Sequence, residues 1–382
     1  MDLCYILSMI QRIYQDLGQY VHPNKVLVIY GPRRVGKTVL LTSYLKQIDL
    51  KYKLDSGEDI SVQEVFASQS IEKLKRYAEG HDLIAIDEAQ NIENVGLGLK
   101  MLVDSVPNLK VIATGSASFE LANKVGEPLT GRQTTLQLYP IAQLELLNQF
   151  NKHELEQKLQ DYLIYGSYPE VLNSDQLEQK SDYLKELVNS YLLKDILTLE
   201  QVKGSKVLLD LLRLIAFQIG SEVSLNELSL NLGIDVKTVA RYLDLLEKSF
   251  VLINLRGFSR NLRSEIKEKS KYYFYDLGVR NAIISNFNPL NIRDDIGKLW
   301  ENFIIIERIK KQAYQKIYSN NYFWRTWEQK EIDFLEEREG KLYAYELKYS
   351  SQGAKPPQEF VDAYPNSEFA VVNKDNYLDF IT

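Results

Sequence analysis

Cysteine and histidine are nearly missing from this 382-residue chain, which has one Cys, at position 4, and three His. A lone thiol excludes an intramolecular disulfide and fits a reducing cytosol. The same scarcity excludes a structural zinc site, which draws its four ligands from Cys and His. Long apolar runs are missing too. VLLDLLRLIAF is broken by Asp210 and Arg213, well short of the ~18 apolar residues of a membrane span. The opening MDLCYILSMIQRIY carries an acid where a secretory signal has its basic start, so it reads as an amphipathic first helix. Repeats and low-complexity stretches are absent. Positive charge is not in excess: a net charge of -6 argues against a chain coated with nucleic acid, while a local basic surface stays open. What remains is an ordinary soluble composition, 45% hydrophobic and 26% charged, expected in the cytoplasm, away from membranes. Its length suggests roughly two to four domains.

The strongest pattern comes early. KVLVIY, residues 25–30, is a short apolar run rich in β-branched residues, as in a buried parallel strand. GPRRVGKT follows, and TVLLTSYLKQI continues with helical spacing. Gly31, four residues, Gly36, Lys37 and Thr38 match the phosphate-loop pattern in its strand-to-helix context. The chemistry calls for these residue types. Glycines let backbone N–H groups turn toward phosphates at a helix N-terminus, whose dipole favours anions. The loop Gly31, Pro32, Arg33, Arg34, Val35, Gly36 is therefore expected to cradle ATP, with Lys37 on the β and γ phosphates and Thr38 on Mg²⁺.

DLIAIDEAQ is expected to form a strand, Leu83 to Ile86, that ends in paired acids. Asp87 is placed to hold Mg²⁺, directly or through water, and Glu88 to polarise the attacking water. Both could instead only cap the next helix. LKVIATGSAS ends in Thr114, Gly115 and Ser116, where a hydroxyl either senses the γ-phosphate or caps the loop. Arg132, in LTGRQTTLQL, either neutralises transition-state charge, in cis or from a neighbouring copy, or is merely solvated.

GPRRVGKT, IDEAQ, ATGSAS and LTGRQ in that order, with the later YLIYGSYPEVL, YFYDLG and GKLWENF, resemble the AAA-type bacterial and archaeal ATPases that carry a C-terminal domain of unknown function. Those proteins are similar to signal-transduction ATPases. The resemblance implies ATP binding and hydrolysis and names no pathway.

Beyond residue 140 long helical patterns suggest a lid over the nucleotide. In GSYPEV, Tyr168 and Pro169 either touch adenine or punctuate a loop. Residues 205–280 read as a winged helix: three close helices, a turn at Gly233, a cap at Asp235, then two wing strands. The loop between the strands holds six basic residues, Arg256, Arg260, Arg263, Lys267, Lys269 and Lys271, against two acids, and is the candidate grip on DNA or RNA phosphates. The would-be recognition helix argues the other way, since Asp235, Asp244 and Glu247 offset Lys237, Arg241 and Lys248. A protein-docking or coupling role stays open.

The last segment runs helix, strand, strand: DDIGKLWENFIIIERIKK, then EIDFLEE and LYAYELKYS around a turn at residues 338–340. With Glu301 on the helix, Asp333 on one strand and Glu346 and Lys348 on the next, the order resembles a restriction-endonuclease-like core. Positions 346 and 348 of a strand share a face. The acids would chelate a second Mg²⁺ beside Lys348, which would act on the nucleophile. A solvated hairpin or a retired nuclease fold would give the same pattern.

The expected fold class is α/β: a P-loop parallel-sheet ATPase domain over 1–140, a helical lid or linker over 141–204, a winged-helix domain over 205–280 and a restriction-endonuclease-like α/β domain over 281–382. The expected function is a Mg²⁺-dependent ATPase whose nucleotide state controls the nuclease-like half. The alternative is an ATP-binding switch whose C-terminal half binds protein or nucleic acid without chemistry. ATP is the expected ligand; DNA or RNA, a second copy or a partner protein are the candidate partners.

Overall fold

The computed structural model describes residues 10–116, 129, 131–192, 205–259, 270–326, 328–350 and 353–382. It divides into two compact units, one formed by Gln11–Tyr139 with Lys248–Phe250, the other by Ile10 with the described residues of 140–247 and 251–382. Among the described residues, no helix is long and apolar enough to cross a membrane.

The first unit is α/β, built on a five-stranded sheet. Its strands are β1 (Val26–Tyr30), β2 (Tyr52–Ser56), β3 (Leu83–Asp87), β4 (Lys110–Gly115) and β5 (Gln133–Gln137), all paired in parallel in the order β2-β3-β4-β1-β5. The position of each strand follows from its composition. β1, β3 and β4 are near-continuous apolar runs, buried on both faces, while YKLDS and QTTLQ alternate and lie at the edges. One face is sealed by Phe66, Leu74, Leu99 and Leu102 from the helices Ile60–Ala67, Ile71–Ala78 and Val95–Ser105, packed on Val28, Ile84, Ile86 and Val111. Each such side chain contributes ~1.5–3 kcal/mol of apolar burial.

Parallel pairing has one consequence that matters for function: every strand ends at the same edge. Tyr30 lies level with Gly115 and Gln137, and Ser56 with Asp87. The loop after β1, the acids after β3 and the hydroxyls at the end of β4 are thereby brought together. Residues 10–12 carry no regular structure and residues 13–14 form a turn, so the expected first helix does not continue there; its residues 1–9 lie outside the described residues.

The second unit holds a seven-stranded sheet in the order β12-β11-β10-β9-β7-β8-β6. Three of its strands, β6 (Glu222–Val223), β7 (Leu252–Gly257) and β8 (Ser270–Phe274), follow the helices Ser205–Phe217, Leu225–Leu232 and Val236–Lys248 or lie between them. Gly233, at φ 65°, ends the second helix, and Asp235 caps the third by accepting from the Thr238 N–H at 2.9 Å. The other four are β9 (Asn320–Arg325), β10 (Glu331–Arg338), β11 (Lys341–Leu347) and β12 (Glu368–Val372). β7 and β9 pair in parallel at Arg256–Tyr322 and Gly257–Phe323, so the sheet runs on past residue 280.

GSYPEV, YFYDLG and GKLWENF meet inside this unit. Asp276 accepts from the Ser167 N–H at 2.7 Å and from the Val279 N–H at 3.1 Å. Asn281 donates to the Leu163 and Ile164 carbonyls, and Asn302 pairs with both backbone groups of Phe274. Any side chain at Gly278 would lie 2.1 Å from the Tyr165 carbonyl oxygen. Tyr168 is 4% exposed in this unit's core, at the start of the helix Pro169–Leu172. It therefore presents no face to an adenine, and loop punctuation is the reading that stands.

Candidate functional site

The loop between β1 and the helix Lys37–Leu45 is shaped by its glycines. Gly31 has φ 149°, and a Cβ there would stand 2.0 Å from the Leu138 carbonyl oxygen. Gly36 has φ 96° and leaves the helix without a side-chain cap, so its first-turn amides face the loop. Arg34, at φ 64°, and Glu88, at φ 51°, also sit in the left-handed region, a strain of the kind that clusters at ligand sites. Lys37 is 4% exposed and donates to the Gly31 and Pro32 carbonyls at 2.9 and 2.8 Å. Its ammonium therefore sits inside the loop that a phosphate would enter.

The acids of β3 are held from two directions. The Thr38 hydroxyl donates to Asp87 Oδ2 at 2.8 Å, and the Thr114 hydroxyl donates to Asp87 Oδ1. Thr114 also accepts from the Glu88 N–H at 3.1 Å. Gln90 donates to Glu88 Oε2, and its own carbonyl accepts from the Ser116 N–H at 3.2 Å. A hydroxyl and a carboxylate oxygen in contact are the donor types that Mg²⁺ takes, so Thr38 and Asp87 fit that ion.

One residue of this unit departs from expectation, and two others had no expected role. Arg132 lies beside Gln133, level with Val26 at the start of β1, and its carbonyl accepts from the Val26 N–H at 2.8 Å. The strand length, about 3.3 Å per residue, separates it from the phosphate loop, and its guanidinium pairs with Asp104 at 2.7 Å. A role toward the same chain's nucleotide is incompatible with that position. Arg12 carried no signal in the sequence, where it reads as one more charged residue. It is buried and donates to the Val35 carbonyl at 2.6 Å and the Tyr139 carbonyl at 2.7 Å, tying the phosphate loop to the end of the unit. Gln90, which bridges the acid and hydroxyl strands, stood in the quoted IDEAQ without a role.

In the second unit, β10 and β11 form the expected hairpin, turning at Glu339 and Gly340, both at positive φ. Phe334 pairs with Tyr345, so the next register position sets Asp333 opposite Glu346. Asp333 Oδ2 accepts from the Leu347 N–H at 2.8 Å, and Lys348 pairs with Glu346 at 2.6 Å. Glu301 arrives from the helix Ile296–Gln315. Burial, then the charges of Glu301 and Glu346, push the Asp333 carboxyl up to about 7. Burial also pushes Glu301 up, against the pull of Lys271. The four residues named from sequence thus share one electrostatic neighbourhood, yet no group of three or more His, Cys, Asp or Glu among the described residues is arranged to hold a metal ion.

Lys271 overturns its expected role. Read as a phosphate grip, it is 2% exposed and paired with Glu301 at 3.4 Å and with Glu331. Of the other five basic residues, Arg256 is exposed on β7, and Arg260, Arg263, Lys267 and Lys269 lie outside the described residues.

Residues 23–147 match the model of a family described as an AAA domain. Residues 156–290 and 296–380 match two domains of unknown function, DUF8612 and DUF4143. The chain is 23% identical over 372 residues to an uncharacterized protein of Methanocaldococcus jannaschii, covering 91% of this chain and 80% of the relative. It is 25% identical over 323 residues to one of Haemophilus influenzae, covering 79% and 78%. Among solved structures, it is similar to a signal transduction ATPase with a tetratricopeptide repeat sensor from Pyrococcus horikoshii, at 15% identity and a TM-score of 0.29. That match covers 75% of this chain and 43% of the other, less than half its length. A Thermotoga maritima RuvB variant matches at 15% identity and a TM-score of 0.26, over 64% of this chain and 87% of that one.

Proposed function

We propose that this chain, an AAA-type P-loop ATPase with a C-terminal domain of unknown function, hydrolyses ATP with Mg²⁺ and passes its nucleotide state to the C-terminal half. The observation that carries the reading is the Thr38–Asp87 hydrogen bond, 2.8 Å long, at the mouth of a loop that already encloses Lys37. Lys37 exchanges the Gly31 and Pro32 carbonyls for the β and γ phosphates, and the amides after Gly36 take the remaining phosphate oxygens. Thr38 and Asp87 would hold Mg²⁺, which would supply charge neutralisation on the phosphates. Glu88, oriented by Gln90, accepts the proton of the attacking water. Thr114 couples Asp87 to the Glu88 backbone, so both acids move as one group. Arg132 enters this scheme only from a neighbouring copy.

The test separates binding from chemistry. Lys37→Ala is expected to lose ATP binding in equilibrium titration. Glu88→Gln is expected to keep it while phosphate release slows ~10²–10⁴-fold, the usual worth of a general base. Undiminished turnover in Glu88→Gln removes it from the mechanism.

A second reading concerns the effector half, with residues 205–280 as a winged helix and the hairpin as a nuclease-like site acting on nucleic acid. It is supported by Asp333 facing Glu346 across β10 and β11 with Lys348 on the same strand end. Metal-dependent cleavage of DNA or RNA that disappears in Asp333→Asn and Glu346→Gln would uphold it. Absence of any cleavage by the intact chain leaves a switch whose C-terminal half binds without chemistry.

A further inference from the structure

We propose that Lys271 is the built-in counter-ion of the acidic cluster, standing where a divalent cation would otherwise be needed and excluding one. The lysine comes from β8, at the wing end of the sheet, and reaches the acids from a side that the sequence motif does not include. Its ammonium contacts Glu301 Oε1 at 3.4 Å and pairs with Glu331. The Tyr273 hydroxyl donates to the same Glu301 oxygen at 2.5 Å. The other oxygen, Oε2, faces the backbone: a Cβ at Gly220 would stand 3.0 Å from it. Glu331 also meets Arg325 at 3.5 Å, and Glu346 is met by Lys348 at 2.6 Å.

The charges are partly balanced. Glu301, Glu331, Asp333, Glu346 and Glu222, which Arg325 also meets at 3.5 Å, face Lys271, Arg325 and Lys348, five acidic groups against three basic ones. A buried carboxylate without a partner is costly, and a tethered ammonium supplies the partner without stripping water from a hydrated ion. Such an ammonium also repels an incoming divalent cation: it takes the Glu301 oxygen directly and acts on Asp333 through its charge. Removing Lys271 lifts both obstacles to a metal at the acids. The nuclease-like reading of Asp333 and Glu346 enters this inference only through the identity of the excluded ion.

The experiment titrates Mn²⁺ into the nucleotide-free full chain and follows the free ion by electron paramagnetic resonance. Binding that is lost on Asp333→Asn is assigned to the cluster. The wild type is expected to show none. Lys271→Gln is expected to bind one ion per chain, half-saturated at least tenfold below the highest Mn²⁺ concentration at which the wild type shows none, and to lose it on adding Asp333→Asn. Because Lys271→Gln strips a buried counter-ion, Lys271→Gln with Glu331→Gln is measured beside it; that pair leaves the net charge unchanged and is expected to gain the ion too. Asp333-dependent Mn²⁺ binding by the wild type overturns the proposal, and so does a folded pair of lysine variants that binds nothing. Where both variants unfold, the wild-type titration decides alone. The nuclease reading falls separately, on the absence of cleavage, whatever the titration gives.

Discussion

Thr114 carries more of the nucleotide site than its place in a strand suggests. Its single hydroxyl donates to Asp87 and accepts from the Glu88 N–H, and the side chain is buried. Thr114→Val keeps the shape and removes both bonds. A half-buried amide left without its acceptor costs at most ~1–3 kcal/mol, so the variant should lower the thermal midpoint and also slow hydrolysis, because Asp87 and Glu88 lose their common brace. Unchanged turnover with a lowered midpoint would assign Thr114 to stability alone. At this scale the sequence is an uneven guide. Lys37, Thr38 and Asp87 lie in local patterns whose chemistry is readable because the spacing itself builds the site. Lys271 lies in an equally local basic run, yet its pairing with Glu301 spans thirty residues of chain, and no spacing encodes that contact.

The helix Ile296–Gln315 begins at an ionic knot that decides how it sits in its own unit. Arg280, on the helix Leu277–Ile283, donates to Asp295 at 2.6 Å and to the Ala216 carbonyl through two nitrogens. Arg293 adds two bonds to the same carboxylate, at 2.8 and 2.7 Å. Burial raises the Asp295 carboxyl, but the bonds from Arg293 and the charge of Arg280 outweigh it and hold it at about 2. A depressed carboxyl contributes stability that is present above its unfolded value, 3.8 here, and is lost as pH falls toward about 2. Comparing wild type with Asp295→Asn by denaturant unfolding should therefore show a stability difference that is full at neutral pH and shrinks between those two values. A difference independent of pH would mean that the knot works through packing rather than charge. Two arginines sharing one acid across separate elements are invisible to periodicity, which predicts the helix but not its anchor.

For the whole molecule, binding should be visible as stability. A ligand that binds only the folded state adds RT ln(1 + [L]/Kd), about 2.7 kcal/mol at a hundredfold excess over Kd. ATP with Mg²⁺ should raise a thermal transition of the intact chain, and Lys37→Ala should abolish the rise. A rise of equal size in that variant would place the ligand elsewhere than the phosphate loop.

The sequence by itself determined what is local and periodic. Apolar runs of β-branched residues specify buried parallel strands, glycines at required left-handed positions specify the phosphate loop, and Asp235 and Gly233 mark helix ends. Each of these depends on neighbours a few residues away, so a short window contains the cause. Tertiary structure alone decided three other matters. It put Arg132 at the wrong end of a parallel sheet for its own nucleotide, because strand direction is a property of pairing rather than composition. It carried one sheet through β7 and β9 across the expected boundary. And it set a lysine from β8 among acids from a helix and a hairpin, because buried charges find partners in space and leave no spacing by which to read them.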